Sequence, residues 1–438
     1  MNVVPMNARA SAGRGHREQP GRTIAALDIG SSKICCLIAE IAKRRQGGDG
    51  DDCDLDIKGI GYHASQGVKN GVIVDMVAAE RAIRAAVDAA ERMARTTIDD
   101  VYVNVSGGRP SCTLHSGRVK IDGGPVCEDD LAQALERARA QADFGGRALL
   151  HFSPVAWGLD QTGGISHPLG MFGRELSVEA SAVVVEPGPL HNLVNCVERC
   201  HLSVEGLVIS PYASARAVLV ADELELGVTC IDMGGGTTSI AVFLDGKLAF
   251  ADTIPVGGQH VTNDIARGLS TPTAHAERLK TLHGSALPGV CDERDFLPVP
   301  LVGERGTDTV NRVPKSVLTS IIRPRLEETF ELVADRLKAS GLATQAGRRA
   351  VLTGGACQLT GAREFAGRIL DRQIRLGVPR DLVQLSGPAR GPQVSVAAGL
   401  LDCAARGDSE PVTLPHATAG ARGRGYFARV GRWIRESF

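Results

Sequence analysis

A chain of 438 residues with 43% hydrophobic content carries enough apolar material for about two to three cores. Its net charge of −1 argues against broad nucleic-acid binding, and its eleven cysteines, odd in number and without paired spacing, exclude a disulfide scaffold and fit a reducing cytoplasm. Aromatics are scarce at 4% while Ala and Gly abound, which suits closely packed α/β layers.

Residues 1–21 are polar, basic and dotted with Gly and Pro, and lack an apolar core, so they read as a disordered tail and not a signal peptide. Thr23 to Asp28 and Ile34 to Glu40 are two apolar strands around the tip Gly30-Ser31-Ser32-Lys33. Another strand, Ile57 to Tyr62, precedes a helix in which Ala78, Ile83, Val87, Ala90 and Met93 recur at helical spacing. Val101, Val103 and Val105 alternate with polar residues and predict a half-buried strand. It opens a block, 99–184, that reads as an α+β insert with a helix starting at Glu128-Asp129-Asp130 and no catalytic constellation. No apolar run reaches about 18 residues, so none is long enough to cross a membrane.

Helix returns after Pro189, where Cys196 and Cys200 lie near His191 and His201. Zinc is one reading of those four; small apolar residues on one helix is the one preferred, since no CxxC partner exists. A strand, Val204 to Ile209, leads through Ser210-Pro211-Tyr212 to another helix. Then comes Cys230-Ile-Asp-Met-Gly-Gly-Gly-Thr-Thr-Ser-Ile-Ala-Val242, a strand ending at Asp232, a tip of almost bare backbone, and a second strand. Gly234, Gly235 and Gly236 lack a Cβ, so their N–H groups can approach a phosphate chain, as can Thr237 and Thr238 beside them. Asp232 is a hard oxygen donor suited to Mg²⁺ held largely through water. An ordinary glycine turn would explain this stretch alone. Asp28-Ile-Gly-Ser-Ser-Lys33 repeats its grammar, however, and two facing hairpins of this kind make a phosphate and metal clamp.

Gly257-Gly258 turns into a helix capped near Thr262. In the next helix Glu277 and Lys280 are three apart; spacing alone favours a solvated ion pair over a ribose contact. A long helix, or two broken at Pro324, spans Pro314 to Lys338. Ala350 to Thr353 is a strand ending at Gly354-Gly355, with Gln358 just beyond, and this suits close approach of backbone to an adenosine. Val394 to Ala405 closes the folded part, and 406–425 reads as a flexible linker. In 426–438, Tyr426, Phe427, Val430, Trp433, Ile434 and Phe438 share an arc of roughly 140°, with Arg429, Arg432 and Arg435 opposite. So short a helix needs a surface to fold on, and an anionic membrane offers apolar burial and attraction for arginine together.

These motifs resemble the actin-like ATP-binding superfamily. Asp28 to Lys33 looks like its first phosphate motif, Asp232 to Thr238 its second, and Leu352-Thr-Gly-Gly355 its adenosine motif. Glu223-Leu-Glu-Leu-Gly-Val228, Ile254-Pro-Val-Gly-Gly258, Val261-Thr-Asn-Asp-Ile265, Ala276-Glu-Arg-Leu-Lys280, Ile165-Ser-His-Pro-Leu-Gly170 and the terminal Trp433-Ile-Arg-Glu-Ser-Phe438 are similar to the family of the bacterial cell-division protein FtsA. The resemblance implies an actin-like two-lobed α/β fold of duplicated ribonuclease-H-like domains. Domain I would comprise 22–98, 185–226 and 385–405; the insert, subdomain 1C, 99–184; and domain II 227–384, with a small subdomain at about 258–315.

It also implies ATP and Mg²⁺ as ligands, with Glu277 and Lys280 as nucleoside contacts, and head-to-tail self-assembly. The protein would tether the FtsZ ring to the cytoplasmic face of the inner membrane, with the C-terminal peptide of FtsZ meeting Arg305, Arg312 and Lys315 in the small subdomain and later division proteins docking on the insert. The positions where relatives orient the attacking water hold Gly206 and Ser210 here, with Glu205 adjacent, so only slow hydrolysis is expected. A small-molecule kinase or another bacterial actin such as MreB are the competing readings; the kinase would have no use for the terminal helix, and MreB would normally lack the insert.

Overall fold

The structure, a computed structural model, describes residues 21–44, 53–290, 292–303, 310–380 and 390–407. Residues 1–20, the linker beyond 407, the terminal helix at 426–438 and Arg305 lie outside the described residues.

The chain opens with β1 (Thr23–Ile29), β2 (Lys33–Arg44), β3 (Cys53–Ala64), the short pair β4 (Val68–Lys69) and β5 (Val72–Ile73), and α1 (Met76–Ala94). Asp75 caps α1 by accepting the Ala78 N–H at 3.0 Å. Then follow β6 (Asp100–Val105), β7 (Ser111–Lys120), α2 (Glu128–Gln141), β8 (Ala148–Leu159), β9 (Thr162–Ile165), β10 (Glu175–Val185), α3 (Pro187–Glu198), β11 (Ser203–Ile209), α4 (Ser210–Val218) and α5 (Ala221–Leu226). The second half holds β12 (Val228–Met233), β13 (Thr238–Leu244), β14 (Lys247–Ile254), α6 (Gly258–Gly268), α7 (Thr273–His283), β15 (Phe296–Pro300), β16 (Val310–Pro314), α8 (Lys315–Ala339), β17 (Arg349–Thr353), α9 (Ala362–Leu370), β18 (Gln373–Leu376) and α10 (Ser395–Arg406).

Two five-stranded sheets carry the two halves, in the orders β11-β6-β1-β2-β3 and β14-β13-β12-β17-β18. In each, a central strand meets one neighbour antiparallel through a hairpin and the other parallel across a crossover: β1 lies between β2 and β6, β12 between β13 and β17. One apolar cluster runs from Ala26, Cys35 and Leu37 through Ala213, Ala217, Ala397 and Leu401 to Val228, Cys230, Ala241 and Val351. α4 and α10 therefore form a layer shared by both sheets. Small residues make this possible: a Cβ on Gly399 of α10 would strike the Ala213 backbone of α4. The outer faces are covered separately, the first by α1 and α3, the second by α6 to α9.

The insert is the antiparallel sheet β7-β10-β8-β9 with α2 on one face, packed around Leu131, Trp157, Leu176 and Val178. It excludes the strand over 101–105, which was expected to open it half-buried. That strand is β6, paired parallel with both β1 and β11 and buried from Val101 to Val105 because helices cover both faces of its sheet. One open alternative is settled and one expectation is corrected. α8 continues through Pro324 unbroken. α6 begins at Gly258, four residues before Thr262, whose hydroxyl instead donates back to the Gly258 carbonyl at 3.1 Å. Among the described residues no helix is long and apolar enough to cross a membrane.

Candidate functional site

The two hairpins are geometric equivalents. Asp28 is cross-strand to Cys35 and Ile29 to Ile34; Asp232 is cross-strand to Ser239 and Met233 to Thr238. Each tip is four residues long and closes in the same way, Gly30 N–H donating to the Lys33 carbonyl at 3.1 Å and Gly234 N–H to the Thr237 carbonyl at 2.8 Å. The tips abut across the cleft. A Cβ on Gly235 would lie 2.7 Å from the Ser32 Cβ, and one on Gly236 would crowd Ser31 and come within 3.1 Å of Asn70 Cα. Bare backbone is thus required where the halves meet. The amides of Ser31, Ser32, Gly235 and Gly236 donate to no group among the described residues, which leaves four N–H donors for a bound anion.

Asp28 and Asp232 sit behind these tips, each 7% exposed. Burial pushes Asp28 up to about 6, against the pull of Lys33. Burial and then the charge of Asp28 push Asp232 up to about 7, against a Ser214 hydrogen bond and Lys33. Two buried carboxylates that repel each other are short of positive charge, and their hard oxygens fit a divalent cation. Among the described residues no three His, Cys, Asp or Glu side chains gather to hold a metal directly. A magnesium ion here would keep most of its water, as its reluctance to dehydrate favours. Lys33 lies over the Tyr62 ring, 5.0 Å from its centroid.

The second tip is braced by α6, whose first two amides, Gly258 and Gln259, donate to the carbonyls of Gly234 and Gly235 at 2.9 and 2.7 Å. Lys280 of α7 reaches the same corner. Its Nζ donates to the Gly258 carbonyl at 3.1 Å, to Thr262 Oγ1 at 2.8 Å and to Glu277 Oε2 at 2.7 Å, and Thr262 also bonds Glu277. Only the lysine of this pair is sheltered: Lys280 is 15% exposed, whereas Glu277 is 51% exposed. Just past β17, Gly354 has φ +84, and a Cβ there would overlap the Asp232 carboxylate and the Met233 carbonyl. Gln358 follows one short turn later, its amide donating to Gln393 at 3.1 Å and to the Gly355 carbonyl at 3.3 Å.

Beneath the first tip lies a buried polar cluster that the sequence did not point to. Ile29 N–H runs past the end of the β1–β6 ladder and is received by Asn104 Oδ1 at 2.7 Å. Asn104 Nδ2 donates to Ser106 Oγ at 3.0 Å and Ser210 Oγ at 3.2 Å, and the two hydroxyls bond each other at 2.7 Å. Ser31 Oγ accepts the Gly71 N–H at 3.0 Å. Asn104, on β6, and Ser106, just beyond it, lie some 75 positions away in sequence, so no local pattern announces them. Ser210 thus belongs to the site's floor, whereas Glu205 does not: it lies early in β11, away from the Ile209 end that meets the hairpin, and pairs with Arg22 at 2.7 Å. Arg312 is exposed on β16, and Lys315, at the start of α8, pairs with Asp292 at 3.5 Å.

Two sheets that share a helical layer, each opening toward the other on an Asp-headed hairpin, define an actin-like two-lobed protein. The fold matches a chain of the PilM–PilN type IV pilus biogenesis complex with a TM-score of 0.57, at 17% identity over 89% of this chain and 99% of that one. Family models match residues 229–399 as cell division protein FtsA and residues 107–184 as the SHS2 domain inserted in FtsA. The FtsA of Rhizobium meliloti (strain 1021) is 46% identical over 422 residues, 95% of each chain. That of Neisseria meningitidis serogroup B (strain MC58) is 36% identical over 96% of this chain and all of its own, and that of Escherichia coli (strain K12) is 31% identical over 95% and 98%. The chain belongs to the FtsA family of cell division proteins.

Proposed function

We propose that the protein binds ATP between its two hairpins and uses it to couple self-assembly to attachment of the division ring at the membrane. The observation that carries this reading is the equivalence of the two tips, with Asp28 and Asp232 behind four unsatisfied amides. Gly30, Ser31, Ser32 and Lys33 bind one side of the phosphates; Gly234, Gly235, Gly236, Thr237 and Thr238 bind the other. Asp28 and Asp232 take Mg²⁺ through its water. Glu277 and Lys280 reach the ribose and base from one side, and Gly354, Gly355 and Gln358 from the other. Hydrolysis is slow, because Glu205 points to Arg22 and Ser210 is held by Asn104 and Ser106. The nucleotide is then chiefly a structural and polymerisation ligand for head-to-tail filaments.

Three surfaces serve the tether. Tyr426, Phe427, Val430, Trp433, Ile434 and Phe438 enter the inner membrane from its cytoplasmic face while Arg429, Arg432 and Arg435 meet anionic headgroups. The small subdomain receives the acidic C-terminal peptide of FtsZ near Arg305, Arg312 and Lys315. The insert receives later division proteins. Flotation with anionic vesicles tests the assembly, comparing the full chain with one stopped after Gly423 in the presence of fluorescent FtsZ C-terminal peptide. The full chain and the peptide should float together and the truncated chain should not. Equal flotation of both chains, or of neither, removes the terminal helix as anchor.

A further inference from the structure

The insert is not an appendage hung on one lobe. Its strand β8 runs beside β11, the edge strand of the first sheet, and His151 Nε2 accepts the Ile209 N–H at 3.0 Å. Its strand β7 reaches the second lobe, where Cys112 Sγ donates to the Ala249 carbonyl of β14 at 3.7 Å. The His151 ring also lies 5.5 Å from that of Tyr212 on α4, which stacks at 6.1 Å on Phe243 of β13.

Ile209 is the residue before Ser210, and Ser210 bonds Asn104, which holds Ile29 beside the first tip. A continuous line of short, directional contacts therefore joins the insert to the first hairpin: His151, Ile209, Ser210, Asn104, Ile29. His151, Asn104 and Ser210 are 9%, 2% and 3% exposed, so water does not readily replace a broken link. Burial also holds the imidazole neutral, with its pKa down at about 4, and a neutral ring keeps the unprotonated nitrogen that Ile209 needs.

We propose that Asn104 is a positioning residue for the first tip and that His151 couples it to the insert, so that occupation of the tips by a nucleoside triphosphate and the state of the insert shift each other. This inference rests on the proposed nucleotide site. The coupling is reciprocal by linkage: whatever rigidifies one end favours the arrangement the other prefers. The insert would thus report the nucleotide state on a surface remote from the cleft.

Amide hydrogen exchange on the full chain, with and without MgATP, tests this. In the native protein MgATP should slow exchange at 28–33 and 232–238, and also slow it in β8 and β11 by about fivefold or more. His151→Leu should keep protection at both tips and lose the response in β8. His151→Gln, whose carbonyl can still accept the Ile209 N–H, should restore it. Asn104→Ala should lose the response in β8 and weaken MgATP binding. If MgATP protects the tips of the native protein while β8 is unmoved, or if His151→Leu responds as the native protein does, the coupling is wrong and the site stands. If MgATP protects neither tip, the site reading falls and the coupling with it.

Discussion

Gly354 closes directly against Asp232: the end of β17 passes so near the carboxylate that any Cβ at position 354 would overlap Oδ1. The contact joins the third glycine motif to the second hairpin and seals the site from behind. Gly354 also holds φ +84 with ψ 164, a region essentially reserved for glycine, where an L side chain is strained by about 1–3 kcal/mol. Gly354→Ala should thus combine strain with steric displacement of Asp232. Gly246, with φ +77 and nothing within 4 Å of a Cβ, has a positive φ without the steric clash. Gly354→Ala should lower the melting temperature more than Gly246→Ala and also weaken MgATP binding, whereas Gly246→Ala should leave binding unchanged. Equal losses in melting and binding by the two variants would mean that the contact with Asp232 does not matter.

The raised carboxylates set a pH dependence with a definite sign. Asp28 and Asp232 titrate near 6 and 7 in the fold against an ordinary value of 3.8. The folded state therefore binds more protons than the unfolded chain across that window, and the pair destabilises the ligand-free protein when ionised. The penalty is fully present above about pH 7 and is relieved as pH falls through 7 and 6 toward 3.8. Denaturant midpoints in EDTA should rise from pH 8 to pH 5, and Asp232→Asn should flatten the slope. A cation reverses the sign, since it favours the ionised form, so Mg²⁺-dependent ATP affinity should climb between pH 6 and pH 8. A native protein that is least stable at pH 5 in EDTA would contradict the assignment of both groups.

Asp28 and Asp232 were legible because the chain states the device twice, with the same residue classes at the same spacing. The shared layer of α4 and α10 was less so. The abundance of Ala and Gly suggested close packing without saying that Ala213 and Gly399 would make it. β6 was misplaced for a physical reason: Val101, Val103 and Val105 show the alternation of a half-buried strand, yet Tyr102 and Asn104 are buried too, because the strand is central. Asn104 itself acts through partners brought together by sheet pairing. Glu277 and Lys280 show the opposite case, where spacing favoured a solvated ion pair and tertiary contacts with Gly258 and Thr262 gave Lys280 a half-buried post.

That post makes Lys280 testable apart from Glu277. Lys280→Met would leave the Gly258 carbonyl, Thr262 hydroxyl and Glu277 carboxylate without their shared donor, a loss of about 1–3 kcal/mol. The brace behind Gly234 and Gly235 should loosen with it, and MgATP affinity should fall about tenfold or more. Glu277→Gln keeps an acceptor for Lys280 and should cost less than about 1 kcal/mol. Calorimetric titration and thermal melts of the two variants decide the matter. A Lys280→Met protein with native stability and native affinity would return the pair to the status of a surface ion pair.

The two lobes are also joined by an ion pair on a buried carboxylate. Arg375 on β18 donates through Nε to Glu223 Oε1 at 2.6 Å, bonds the other carboxylate oxygen through Nη2, and donates from the same nitrogen to the Val218 carbonyl at 2.8 Å. Glu223 belongs to α5, between the shared helix α4 and strand β12, and is 4% exposed. Truncating Arg375 would strand a buried carboxylate, with a cost of about 3 kcal/mol. Arg375→Met should therefore lower the denaturant midpoint strongly. Arg375→Met combined with Glu223→Leu should recover part of the loss, because two apolar side chains need neither charge nor partner, while the Val220 N–H and the Val218 carbonyl lose theirs. Recovery separates a penalty for an unpaired charge from a requirement for the ion pair itself. If the double variant is as unstable as Arg375→Met alone, the bidentate geometry is what orients α5 against the second sheet, and the pair is structural in its own right.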